Sequence, residues 1–485
     1  MRVLTIGFIL FNLVDVCRGQ SPISIDKQIL KMSIHTDDTI AFGKPTHSIL
    51  PTVQLAHWKG GYVVFYVNSD WRTKFFFTNG HFEKITEEYE IQNRIVYQVI
   101  TENNEIALLA GNKSGSRASP RSDHAFFMKI SETGDLKMEK LIVGAPNVKK
   151  GNATELDDWG NYQMRWTGSK YVTFFPIQHN FRKIGPPDIH QGDCIYFINP
   201  NGEVISYSDW GASHSFEQRL MIGDSFMVTA AKGDAYPRGL DLNFIGIKEY
   251  EIMAYEKGDK DMNNTSIEYY YEPKQASGYT AFKVSGASGA NYVPFSLGDI
   301  VALNNHSALI SFSSKDKKVT HDIGVVRTHP LSNSTRTQLK YLTNTPTICE
   351  HSVRTASLAS NRILVLWKEF DIRKSKIQIK KLDKEIDAWD ASEIIFTEHN
   401  LDQNKMAIID SMGRFVVKPQ KVKKADWYYT QGLMENGTSW HRTIDGYTNH
   451  SYSPFFRTDE NQLAWSHHKH KSRSIDVYMF TDVNP

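Results

Sequence analysis

The chain has 485 residues, 40% hydrophobic and 23% charged, a balance that excludes the disordered, collagenous and fibrous classes. Its 56 Lys and Arg against 54 Asp and Glu leave a net charge of +2, so no single-sign field favours nucleic acid or an anionic membrane. Aromatics at 12% favour strands over helices.

Residues 1–19 read as a secretory signal. Arg2 gives a positive start, residues 3–14 are mostly apolar, and Cys17 and Gly19 are the small residues a signal peptidase requires. Asn12 and Asp15 shorten the apolar run below bilayer-spanning length, and no later stretch reaches it. The expectation is a secreted, extracellular chain without membrane insertion, its residues 20–485 forming a single domain. Eight Asn-x-Ser/Thr sequons agree, at Asn112, Asn152, Asn263, Asn264, Asn305, Asn333, Asn436 and Asn449. With the signal removed, Cys194 and Cys349 remain; they make no disulfide framework and are expected as two thiols.

From there the chain repeats itself. A short apolar run recurs near Tyr62, Ile106, Tyr171, Phe226, Ala308, Ile363, Phe415 and Leu463. A second follows each, near Phe75, Phe126, Ile195, Phe244, Ile323, Ile377, Trp427 and Val477. The spacing is about 50 residues, and each copy reads as strand, hairpin, strand, connection, strand, tight turn, strand. The copy around 414–440 is the faintest. Turns such as Glu132-Thr133-Gly134-Asp135 and Asn199-Pro200-Asn201-Gly202 suit short hairpins. Four-stranded units repeated around a ring form a β-propeller. The sequence therefore predicts an all-β fold with eight blades, or seven as the near alternative; paired β-sandwiches or a β-helix are the competing architectures. Residues 28–35 are placed to supply the outer strand that the last unit lacks, closing the ring by pairing the two ends.

In such a ring the second-to-third loops and the blade-to-blade connections share one face. That face carries the long polar segments 111–123, 178–193, 232–240, 313–322 and 466–474, whereas the other carries tight turns. Loops on a rigid scaffold are where function concentrates. Two segments of the fourth unit stand out there: His214-Ser215-Phe216-Glu217-Gln218-Arg219 and Gly233-Asp234-Ala235-Tyr236-Pro237-Arg238-Gly239. Strand parity brings His214, Glu217, Arg219, Asp234 and Arg238 towards the channel mouth. Glu350-His351-Ser352-Val353-Arg354 echoes the first segment, and Asp188, His190 and Asp193 add charge. These groups suit a polyhydroxylated or anionic ligand held by bidentate Arg contacts, or proton transfer with His214, Glu217 or Asp234 as catalytic groups. The competing reading is that buried Arg and Asp simply pin blade to blade. Both segments resemble stretches of secreted, propeller-like proteins of undescribed function; the resemblance implies the fold and no activity.

Other motifs lose to plain explanations. Ser466-His467-His468-Lys469-His470 reads as a solvated loop, Asp157-Asp158-Trp159-Gly160 lacks the spaced oxygen ligands of a calcium loop, and Ser285-Gly286-Ala287-Ser288-Gly289 has no Lys behind it. Lys418, Lys421, Lys423 and Lys424 read as a solvated edge. No metal or cofactor is expected. The sequence points first to a monomeric binding module that meets an extracellular glycan, matrix component or protein. Second comes a propeller enzyme, a hydrolase or lyase at the channel mouth, and third a structural protein without a ligand.

Overall fold

The computed structural model describes residues 29–41 and 51–143 apart from 113, 117–118 and 122–123, then 153–156, 161–180, 189–210, 215–223, 226–233, 239–246, 280–283, 295–304, 307–314, 322–328, 338–343, 348–357, 362–371, 401–410, 415–418, 429–435, 438–444, 455–458, 462–468 and 472–480. Among the described residues no helix is long and apolar enough to cross a membrane. The chain is an all-β propeller. The described strands form six four-stranded sheets, one five-stranded sheet and two separate two-stranded pairs.

In the first sheet, Val53–Trp58, Gly61–Val67, Thr73–Asn79 and Tyr89–Ile91 run in spatial order from inside to outside. The later sheets repeat this order. Their innermost strands are Arg94–Ile100 in the second, Gln163–Trp166 in the third, Ser215–Ile222 in the fourth, Phe295–Asn304 in the fifth and Ile348–Ser357 in the sixth. The closing sheet begins with Phe456–Arg457 and continues through Leu463–His468 and Ser474–Phe480. Its outer strand is Ile29–His35, paired antiparallel from Ile29 opposite Phe480 to His35 opposite Ser474. The two ends of the chain thus share one sheet, as the sequence predicts.

The apolar runs fall where they do because each sheet packs a neighbour on both faces. Gly61–Val67 is buried along its whole length, so it reads as a continuous apolar run and not as an alternating one. The core correspondingly lies between sheets. One cluster joins Tyr62, Val64 and Phe76 to Ile475 and Val477 of the closing sheet. Others join first to second (Phe65, Phe75, Leu108), second to third (Phe127, Tyr171, Phe175) and fifth to sixth (Ile323, Val325, Val353).

Three third-to-fourth-strand turns share one design. Asn79, Ser131 and Asn199 each accept the amides two and four residues on. The residue before the last position has positive φ: Phe82 at 62°, Gly134 at 83° and Gly202 at 78°. Gly134 also lies against the preceding sheet, where a Cβ would come within 3.2 Å of Tyr89 and 3.3 Å of Phe75.

Two expectations need correction. Phe415 does not open a seventh unit: Phe415–Lys418 is the outer strand of the sixth sheet, beside Leu401–Asp410. A short outer strand offers, in Phe415, Val416 and Val417, the same run of β-formers as a second strand, which is why the two read alike. Ile377 and Trp427 lie outside the described residues, and Tyr429–Glu435 with Thr438–Ile444 forms an isolated pair. His467 and His468 are not in a solvated loop, because Leu463–His468 extends that far and sets them opposite Asp476 and Ile475. They are 3% and 1% exposed, and His468 Nε2 lies 2.7 Å from Thr52 Oγ1.

Candidate functional site at the ring axis

The innermost strands touch one another in turn from Phe456–Arg457 through the first to the sixth sheet. The circuit then closes: Arg354 lays its guanidinium over Phe455 at 4.7 Å, and Arg457 donates to the Ser357 carbonyl. These strands wall the axis, and four of them bulge. The irregularities lie between Val96 and Gln98, Phe216 and Arg219, Leu297 and Ile300, and His351 and Arg354. A bulge frees backbone groups from the ladder, and inside a protein each of them needs a partner.

Polar side chains from neighbouring sheets supply those partners. Gln54 donates to Val96 O at 3.3 Å and accepts from Val99 N at 3.1 Å. Asp299 accepts from Thr355 N and from Arg354 Nε, each at 2.8 Å. Gly298 sits in the fifth-sheet bulge because a Cβ there would fall 2.2 Å from Ser311 Oγ.

Arg219 is the most heavily engaged. It is 4% exposed, donating from Nε to Gly298 O at 2.6 Å and from Nη2 to Leu297 O at 3.2 Å. Its Nη1 donates to Gln218 O at 3.0 Å and Asn161 Oδ1 at 3.3 Å. The neighbouring Gln218 is fully buried, accepting from Asn161 N at 2.9 Å and donating to Asp193 Oδ1 at 2.9 Å. The third, fourth and fifth sheets are thereby tied at one level.

The other sequence-predicted site residues are placed only in part. Glu217 lies in the fourth-sheet inner strand beside the bulge, and its side chain is outside the described residues, as are His214, Asp234 and Arg238. Asp188 is also outside. His190 is a strand position opposite His179, and Asp193 is buried against Gln218. Among the sequons only Asn112 is described; it is half-buried, its Oδ1 accepting from His124 N at 2.8 Å. Cys194 is a buried free thiol 3.4 Å from Phe175 O.

The residue that sequence reasoning passed over is Arg165. It lies in Gln163–Trp166, a stretch conspicuous only as a clear copy of the repeat. Its Nη1 donates to Met164 O at 2.8 Å and reaches Gln98 Oε1 at 3.5 Å, while Nη2 donates to Gln163 Oε1 at 3.2 Å. All three acceptors are neutral. The charges that act on it come from three other sheets: Glu102, Asp299 and Arg219. Groups from so many sheets converge only at the axis. Burial is the largest influence on the Arg165 guanidinium and pulls its pKa below the usual value, against the opposing pull of Glu102 and Asp299. Glu102, in the turn after the second-sheet inner strand, is exposed by surface area. Desolvation raises its carboxyl above the ordinary range, and Arg165 opposes that rise. Both residues lie at the turn-rich ends of their inner strands. Among the described residues no three His, Cys, Asp or Glu side chains gather closely enough to hold a metal ion.

The sequence matches no protein-family model and no curated protein. Solved structures offer only distant likenesses. The β-propeller domain of the Trilobed protease from Pyrococcus furiosus is 9% identical, with a TM-score of 0.39 over 90% of this chain and 99% of that one. A neuraminidase-like protein from A/bat/Guatemala/164/2009 is 9% identical, with a TM-score of 0.36 over 82% of this chain and 96% of that one. BBS1N, from its complex with ARL6DN, is 11% identical, with a TM-score of 0.35 over 93% and 99%. At these values the likenesses bear on neither ligand nor activity, and the propeller assignment rests on the sheets themselves.

Proposed function

We propose that the chain is a secreted, glycosylated recognition module whose axial channel takes up the anionic group of an extracellular glycan, matrix component or protein. The observation that carries this reading is Arg165, a partly desolvated guanidinium fixed by three neutral acceptors and making no ion pair among the described residues. A charge kept in place with no carboxylate bonded to it is prepared for an incoming carboxylate, sulfate or phosphate. His214, Glu217, Asp234 and Arg238 are proposed to form the rim on the loop-rich face. The circuit of inner strands favours a ring of seven sheets, because the sixth and closing sheets touch directly.

A second reading, a propeller hydrolase or lyase, is favoured by one observation. Glu102 has a raised carboxyl, as a general acid needs. The test is titration of the whole protein with heparin-derived and uronate oligosaccharides at two pH values. Protonating Glu102 removes the carboxylate that competes for Arg165, so affinity is expected to rise as pH falls towards the carboxylate range. Arg165→Gln is expected to abolish binding with stability unchanged or raised, since it removes a poorly compensated buried charge. Binding that survives Arg165→Gln would refute the site. Turnover of an oligosaccharide, lost in Glu102→Gln, would select the enzyme.

A further inference from the structure

On the turn-rich face a groove of about 320 Å³ opens between the first and second sheets. Trp58, Ile106 and Ile130 form its apolar floor. Its rim comes from three turns: Lys59, the Asn104–Glu105 end of the 3-10 turn, and Ser131 to Thr133 with Lys137 beyond. The walls are cross-linked, Lys59 to Glu132 and Lys129 to Glu105.

We propose that this groove is a carbohydrate subsite for one or two pyranose units of a glycan, separate from the axial channel and independent of it. Three features point the same way. The volume lies at the small end of ligand pockets, where one or two sugar rings fit. An aromatic floor under a rim of hydroxyl, amide and carboxylate groups matches a pyranose, which has apolar C–H faces and polar edges. Finally, Trp58 Nε1 is buried without a hydrogen-bond partner. A donor left so carries an uncompensated desolvation cost that a ligand oxygen would remove.

The rim is also set at some conformational expense. Lys59, at φ 46°, opens the two-residue turn with Gly60 at a position that favours Asn, Asp or Gly, and Asn104 across the groove has φ 53°. The Lys59 ammonium lies 5.2 Å from the Trp58 ring centre.

The test uses the full secreted chain carrying 5-fluorotryptophan, with the Trp58 signal assigned by Trp58→Phe. The probes are methyl β-galactoside, methyl α-mannoside, lactose and N-acetyllactosamine. At least one is expected to shift the Trp58 signal saturably, with a dissociation constant on the order of 1 mM. Trp58→Phe keeps the aromatic floor but lacks the donor, and should bind about fivefold more weakly; Trp58→Ala should bind about tenfold more weakly or worse. If Trp58→Ala does not fold, the exposed rim changes Thr133→Val and Lys137→Ala serve, each weakening binding by about threefold. Arg165→Gln should leave all these values unchanged, which separates this site from the axial one. No shift with any probe at about 20 mM, or equal binding by wild type and Trp58→Phe, would overturn the proposal.

Discussion

Replacing Arg219 with Gln tests whether the axial wall is held by side chains hooking onto bulges. The guanidinium satisfies two carbonyls that the fifth-sheet bulge releases, Leu297 O and Gly298 O, and both residues are buried. A Gln side chain is too short to reach both. Each orphaned buried acceptor costs roughly 1–3 kcal/mol, so the loss should be about 3–5 kcal/mol, the range seen when one partner of a buried charged network is removed. Arg219→Lys keeps the charge but not the planar fork, and should lose about half as much. The measurement is urea denaturation followed by tryptophan fluorescence, with the midpoint falling at unchanged slope. A loss below about 1 kcal/mol would refute the latch and return Arg219 to the candidates for direct ligand contact.

Two further outcomes follow from other parts of the ring. Phe82→Gly relieves a positive φ yet should destabilise. Phe82 is 3% exposed and stacks on Tyr62 at 4.3 Å, so about 3–5 kcal/mol of packing is lost against roughly 1–2 kcal/mol of strain regained; a net gain in thermal midpoint would contradict this. The second concerns acid. Hydrogen bonds from Lys74, then Asn68, hold the Asp38 carboxyl below its ordinary 3.8. A depressed folded pKa supplies stability above 3.8 that is lost as pH falls through the lower folded value. Lys74→Met should therefore flatten the decline of the melting temperature below about pH 4; an unchanged acid limb would sink this assignment.

The second strands of the sheets, and the third strands of all but the sixth, where the mark near Ile377 missed Leu401–Asp410, were legible because they read as unbroken apolar runs. The marks at Tyr62, Ile106, Tyr171, Phe226, Ala308, Ile363 and Leu463 all fall on second strands, and Phe75, Phe126, Ile195, Phe244, Ile323 and Val477 on third strands. Inner strands were harder to read. Gln54, Gln218, Arg219 and Arg354 interrupt their apolar pattern, and a bulge shifts the period of two by which a strand is recognised. The echo between His214–Arg219 and Glu350–Arg354 had a structural cause, since Arg219 and Arg354 each follow the bulge of their strand. Arg165 was illegible as a site because its partners come from distant sheets. The buried histidines were misread by a different rule: imidazole counts as polar in a pattern, yet the register alone decides that His468 meets Thr52.

The same bulges explain why three arginines near one axis have different fates. Arg219 and Arg354 stand beside the fifth-sheet bulge, where freed carbonyls and the Asp299 carboxylate absorb their donors. The third-sheet inner strand pairs with Tyr171–Asn180 from Gln163 to Trp166 without a register shift, so it releases no backbone groups of its own. The bulge on its other side, in the second sheet, is already satisfied by Gln54 and Thr73. Arg165 therefore meets no orphaned carbonyl on either flank and rests on neutral amides and its own backbone. An arginine in a ring of latches, set on the one regular strand between two bulged ones, keeps donors that the latches do not use, and on these the proposed anion site rests.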